Sequence, residues 1–526
     1  MRQWWISLVS VPVLSVFYAA AQQAPSPDVR AWIAEAQRQL QLRQFDAAGN
    51  AARQALVLEP NLAEGEALLG FVATMKGDFS EAERRFHRAT QLQPGNAHLH
   101  GYLGSTYLQQ KRLKEARASF ETVLKLDAAN QAATYNLGLI ALLENRPTEA
   151  LASFQAVLKM NRSDAAALIG VLESQLLLKQ SKEAEETTRR LETILGPGEP
   201  RLAQVAALLA SHGEYRTAIP IFENLYKQGA SRDVSFNLAL AHLKTGNANR
   251  AAEVLGPLLS GADAEIFHLL ATVEEARQRP IEASQAYRRA SELEAGSEVY
   301  RFDYGNALLQ HESVEAAVAV FARGVRDFPE SWRMRLGLGS SYYLAEQYES
   351  AAEALLEAVE REPSAELTYY LLGKAYESAG AMQEKIRERF RQYLAGNPKD
   401  SWAYYHYAIM LYENSRALRQ DVPPVVVSHL KKALQLDPNL AEAHQQLGVL
   451  AMERGEMRAA IANLECAIQL DANLATAHYR LGLAYRKTGL VKKAAAEMNI
   501  FRRLKAHHPA GVDRGRVLRS LAGIAR

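Results

Sequence analysis

The residues able to do acid–base, nucleophilic or metal chemistry are scattered rather than grouped. There are thirteen histidines and one cysteine, Cys466. His98 with His100 and His507 with His508 are the close histidine pairs. Neither has the i, i+4 spacing that puts two imidazoles on one helix face for a metal. His444 and His478 are 34 residues apart at one position of a repeating pattern, which makes them architectural. Glu185–Glu186 and Glu274–Glu275 pair carboxylates in helical, solvated contexts. Paired acid–base work instead needs a convergent pocket that shifts pKa values. No HExxH, GxSxG, P-loop or EF-hand signature occurs. Gly337-Leu338-Gly339-Ser340-Ser341-Tyr342 begins as a dinucleotide fingerprint but ends in Tyr. It also sits inside a helical pattern with no strand before it, so a phosphate cradle is excluded. One cysteine excludes an intrachain disulfide and a thiolate zinc cluster. No catalytic, cofactor-binding or metal-ligating residue is assigned, and no enzyme activity and no cofactor are expected.

The elements that carry these residues are strongly periodic. From Gly104, steps of 34 residues meet Gly70 and Ala36 backward and Gly138, Leu172 and Ala206 forward. After a small slip to Ala239 and Ala271, the series resumes at Gly305, Gly339 and Gly373. It then passes Ala408, Gly448 and Gly482. Twelve residues after nearly every marker stands an alanine, such as Ala116, Ala317 or Ala460. Sixteen after stands a large apolar residue, such as Phe120, Phe154 or Phe321. Apolar spacing within each period is helical twice, with a polar break between. That predicts two antiparallel helices whose small residues allow close approach, with the Phe filling the space towards the next pair. Pro60, Pro94, Pro329, Pro363, Pro398 and Pro438 should stop the second helices. About fourteen repeats fit between Val29 and His508. One pair cannot bury its faces alone, so neighbours must stack.

The spacing resembles the tetratricopeptide repeat family, whose pattern is W-x2-L-G-x2-Y, then A-x3-F, then P. Leu103, Gly104, Tyr107, Ala116 and Phe120 match it, as do Leu481, Gly482, Tyr485 and Ala494. Leu338, Gly339, Tyr342 and Ala351 match again, with Leu372, Gly373 and Tyr376. The resemblance implies an all-α, right-handed solenoid with a concave groove lined by first helices, and a role in binding protein or peptide. The carboxylate clamp of chaperone-binding members has no complete counterpart here. The asparagine ladder of glycosyltransferase-linked members reduces to Asn136 and Asn237. At the positions that the family turns into the groove, the ninth to twelfth repeats carry Phe302, Asn306, Arg333, Tyr343, Tyr370, Lys374, Glu377, Trp402, Tyr405 and Tyr412. Aromatics with Arg are hot-spot residues, and the rings would also stack on sugars. Of the adjacent pairs Tyr369–Tyr370 and Tyr404–Tyr405, only one member each can face outward.

Composition is that of a folded chain, with 48% hydrophobic and 23% charged residues. Sixty-one Lys and Arg face 59 Asp and Glu, a net charge of +2, so no chain-wide attraction to nucleic acid is expected. The start, MRQWWISLVSVPVLSVFYAAAQQAPSP, has a basic n-region, an apolar run from Trp4 to Tyr18 and an A-x-A site at Ala19–Ala21. It reads as a signal peptide over 1–21 with a linker over 22–28. A periplasmic or secreted protein is expected, with an uncleaved anchor as the alternative. The array divides at repeats five to eight, where glycine and proline interrupt the pattern. The expected parts are an N-terminal array over 29–296 and a C-terminal array over 297–508, with ordinary repeat drift as the alternative to a bend. Ala408 to Gly448 spans 40 residues, which places an insertion over 414–427. Val517, Leu518, Leu521 and Ile524 lie on one helical face, so 509–526 is expected to cap the last repeat. Eleven Lys and Arg between Arg486 and Arg526 face only Glu497 and Asp513, a basic end that would suit membrane phosphates or an acidic partner. The functional expectation is a binding scaffold, with a scaffold of a polysaccharide or pilus export machine as the alternative.

Overall fold

The structure is a computed structural model, and it describes residues 26–229, 231–507, and Leu518 and Leu521. Among these, twenty-eight α-helices follow one another, numbered α1 to α28, and no strand occurs. They pair in sequence, so the repeat read from the spacing is a helix pair, and there are fourteen. The third pair shows the pattern: α5 (Ala97–Gln109) and α6 (Leu113–Leu126), joined by three residues. Each pair turns through one residue at positive φ. In the third pair it is Lys111 (φ 60°), in the fourth Asn145 (φ 57°) and in the thirteenth Gly455 (φ 79°). A left-handed residue after a helix lets its amide bond back to the last turn. Lys111 N accordingly reaches Leu108 O, and Arg112 N reaches Tyr107 O.

The small markers are contact points. A Cβ on Gly104 would lie 3.0 Å from the Phe120 ring. Phe321 is gripped from both sides. A Cβ on Gly305, in its own pair, would meet the ring at 2.5 Å, and one on Gly337, in the next pair, at 2.3 Å. The residue sixteen after the marker therefore fills the gap between successive pairs, and it is fully buried at Phe86, Phe120, Phe154, Phe222 and Phe321. The prolines do what the sequence implies. Pro60 stands two residues past α2 (Phe45–Leu58), and Pro329 two past α18 (Val314–Asp327).

Two compact units result, Met1–Thr245 and Gly246–Arg526. The division falls inside the irregular stretch between residues 165 and 296 rather than at its end. Nearby, α14 (Ala248–Leu255) has only eight residues before Gly256-Pro257 turns it into a 3-10 helix. The insertion in the twelfth pair is mostly helical. α23 (Ser401–Ala417) runs to 17 residues against the usual 13, and six residues then lead to α24 (Pro424–Leu436). Pro423 stands in extended backbone just before α24. Pro424 is its first residue, where a missing N–H costs nothing, and Val426 is fully buried.

The C-terminal unit holds the site. Its first helices are α17 (Glu298–Gln310), α19 (Trp332–Leu344), α21 (Glu366–Ala375) and α23; its second helices are α18, α20 (Tyr348–Arg361), α22 (Gln383–Gly396) and α24. α17 touches α19, α19 touches α21, and α21 touches α23, whereas successive second helices make no comparable contact. Successive first helices thus lie closest together, on the inner side of the curve. One apolar cluster runs from Phe302 to Met410, and Leu521, fully buried, belongs to it, with Leu518 packed alongside. A terminal cap would instead sit on the cluster of the last pairs, Leu464 to Ala494. The signal-peptide segment and the rest of 509–526 lie outside the described residues.

Candidate binding site

α21 and α23 bring four of the expected groove residues together. Tyr370 and Lys374 are one turn apart on α21; Trp402 and Tyr405 are one turn apart on α23. Tyr370 meets Trp402 edge to face at 5.4 Å, and Trp402 meets Tyr405 at 5.8 Å with rings at 87°. These offsets bring a positive ring edge to a negative ring face. The Lys374 ammonium stands 5.6 Å from the centre of Tyr370 and 6.0 Å from that of Trp402, within cation–π range of both.

The centre of the group is a residue the sequence reading missed, His406. Its ring lies 5.1 Å from Tyr405, 5.6 Å from Tyr370 and 5.7 Å from Trp402. It is buried because α21 has no side chain at Gly373, where a Cβ would come within 2.3 Å of the imidazole. A glycine facing a histidine one repeat later was the available signal, but every marker glycine looks alike in sequence. Trp402, Tyr405 and Lys374 remain half-buried, so part of each faces solvent. Burial, then the charges of Glu442 and Glu377, push the Tyr405 hydroxyl upward, so the phenol stays neutral.

The adjacent tyrosine pairs divide as geometry requires. Tyr369 stacks on Tyr393 of α22 at 3.7 Å and meets Phe390 edge-on, which places it in the core, while Tyr370 joins the inner group but is buried too, under Trp402 and His406, so neither member faces outward. Tyr404 turns to His429 of α24, while Tyr405 joins the inner group.

The other nominated residues lie elsewhere. Phe302 is buried against Phe321. Asn306 is buried, and its Oδ1 has no hydrogen-bond partner among the described residues. Tyr343 is buried against Tyr348 of α20. Tyr412 is buried and donates to Glu453 Oε1 at 2.5 Å; burial and that bond push its pKa up to about 12. Arg333 is exposed beside Trp332, in a shallow hollow that Glu298, Phe328 and Pro329 also line. Glu377 is exposed. The compact group is therefore Tyr370, Lys374, Trp402, Tyr405 and His406.

Among the described residues no cluster of three or more His, Cys, Asp or Glu could hold a metal ion. Gly337 and Gly339 are packing residues inside α19, held by Phe321 and Leu355. No helix among the described residues is long and apolar enough to cross a membrane.

Family models described as tetratricopeptide repeat match residues 112–165, 135–200, 206–255, 302–366 and 336–401. A second tetratricopeptide model matches 73–138, and a TPR repeat model matches 450–489, so together they cover more than half of the chain. No curated protein matches the chain. Similar solved structures include the C-terminal part of a TPR repeat-containing protein from Cytophaga hutchinsonii, at 16% identity over 46% of this chain and 97% of that one, with a TM-score of 0.40. The APC/C hetero-tetramer Cut9–Hcn1 is 13% identical over 94% of this chain and 96% of that one, with a TM-score of 0.36. PilF of Pseudomonas aeruginosa is 20% identical over 39% of this chain and 95% of that one, with a TM-score of 0.34. The fourteen helix pairs, their glycine–phenylalanine contacts and these family matches agree: the chain belongs to the tetratricopeptide repeat family, whose members act generally as scaffolds for protein interaction.

Proposed function

We propose that this protein is a non-enzymatic scaffold that captures an extended peptide or a helix along the inner face of its C-terminal unit. The observation that carries the reading is the group Tyr370, Trp402 and Tyr405 around His406, with Lys374 over two of the rings. The half-buried rings of Trp402 and Tyr405, held by the buried Tyr370 and His406, offer large contact area at little entropic cost, the property of interface anchors. We place the capture in the periplasm or outside the cell, on the signal-like order of residues 1–21. The same half-exposed rings would stack on sugars, which is what keeps the second reading, a scaffold of polysaccharide or pilus export.

The test is in-cell cross-linking followed by mass spectrometry, with wild type beside the Trp402→Ala/Tyr405→Ala chain. Helix content of the variant is checked by circular dichroism. Loss of a defined set of partners, at unchanged helicity, supports the reading; the same partners in the variant reject it. Outer-membrane export proteins among the lost partners promote the second reading. Cell fractionation decides the compartment, and a purely cytoplasmic chain overturns that part.

A further inference from the structure

The inner face is not equally open along the array. Three of its lining positions stand three residues before each marker, one after and four after; a fourth, six before, is exposed at Val299 and Arg333 of the ninth and tenth pairs. In the third pair these are Gly101, Ser105 and Leu108, all half-buried. In the last pair they include the exposed Tyr479 and Arg486. In the ninth pair they are Phe302, Asn306 and Leu309, with 3%, 7% and 1% exposure. In the tenth they are Leu336, Ser340 and Tyr343, with 0%, 0% and 5%. These two pairs alone among the fourteen have all three positions buried. A cover over the inner face of these two pairs accounts for that burial.

Leu518 and Leu521 identify it. They are the only described residues beyond α28 (Val491–His507), both are helical, and a three-residue spacing puts them on one face. Leu521 is fully buried within the Phe302–Met410 cluster, which spans the ninth to twelfth pairs and precedes α28 in the chain. Eleven residues from His507 to Leu518 reach about 40 Å at most, enough to return several helix spacings.

We propose that the C-terminal segment bearing Leu518 and Leu521 is the resident occupant of the inner face of the ninth and tenth pairs, and that a partner presenting a short amphipathic helix with the same apolar spacing takes its place. This rests on the groove reading above and adds its regulation. Asn306 Oδ1 is buried there without a hydrogen-bond partner among the described residues. A partner helix with a donor at that point satisfies a group that the Leu518 and Leu521 side chains cannot, which makes them displaceable. Tethering raises the segment's effective concentration to on the order of millimolar, so a segment that binds in trans with a Kd of about 10 μM is about 99% closed in cis. Opening it then strengthens binding of a competing helix about 100-fold.

The probe is a labelled synthetic peptide of residues 509–526, titrated against the full-length wild type and against full-length Leu518→Asp/Leu521→Asp. The variant is expected to bind the peptide at least about tenfold more tightly than the wild type. Equal affinities, or no binding by a variant of native helicity, overturn the proposal. A second measurement needs no destabilising change: a photo-cross-linker at position 521 of the full chain, with the products mapped by mass spectrometry. Cross-links to 298–344 support the proposal; cross-links to 464–507, where a cap would sit, or to another molecule overturn it. Neither readout involves Trp402 or Tyr405, so the groove reading fails separately, when their replacement leaves partner capture unchanged.

Discussion

At the residue scale, chemistry and architecture part company. The conspicuous residues of the repeat, the glycine and the phenylalanine, are fixed by contact with one another. Phe321 shows this best, because Gly305 and Gly337 leave its ring no room for a methyl on either side. Gly337→Ala should therefore lower the local opening free energy of α18 and α19 by about 1–3 kcal/mol. Native-state hydrogen exchange reads this pair by pair, and unchanged protection there refutes it. The buried tyrosines make a second prediction. Burial pushes Tyr369 up to about 12, and burial with the Glu453 bond does the same for Tyr412, from an ordinary 10.0. The fold favours the neutral phenols. Their contribution to stability is intact below pH 10 and is lost as pH rises from there through 12. Absorbance of tyrosinate near 295 nm should show a late fraction titrating with the loss of helix. A single step at pH 10 that leaves the fold intact contradicts this.

At the element scale, each pair depends on one left-handed residue in its turn. Gly455 (φ 79°) meets this freely, while Lys111 (φ 60°) does so at a cost. Gly455→Val should destabilise the thirteenth pair by about 1–2 kcal/mol, whereas Lys111→Gly should be neutral or mildly stabilising. Hydrogen exchange in α25 (Ala441–Glu453) and α26 (Met457–Leu470) measures the first, and the reverse order of effects refutes the argument. The left-handed turn was not legible in the sequence, because eight of these positions hold residues that do not advertise it, Glu312 and Glu346 among them. The helix pairs themselves were legible, since their period, their alanines and their terminal prolines each answer to a local packing or hydrogen-bonding need. His406 was not, because its burial depends on Gly373 in the preceding pair.

At the scale of the whole molecule, each pair is stabilised by its neighbours, and the chain forms two compact units. Stability in such arrays is a sum of pair and neighbour terms, so unfolding need not be one transition. Trp332 and Trp402 lie in the C-terminal unit and Trp4, Trp5 and Trp32 in the N-terminal one, so replacing those three by Phe leaves a fluorescence that reports on the C-terminal unit alone, while helix content reports on both. Denaturation followed by tryptophan fluorescence and by circular dichroism should give midpoints that do not coincide. Superimposable curves would mean that the whole array unfolds as one.

What the sequence determined by itself is the repeating unit: two helices, a tight turn, a glycine against a phenylalanine. Those choices are local or reach only one pair ahead, so a 34-residue period records them. What only the tertiary structure decided is which lining residues stay accessible. Phe302, Asn306 and Tyr343 are nominated by position, yet they are buried, while Trp402 and Tyr405 stay half-open around a histidine that position did not single out. The reason is distance along the chain. The apolar cluster of those pairs also takes in Leu521, more than 100 residues beyond its other members, and no period in the sequence encodes a contact of that range.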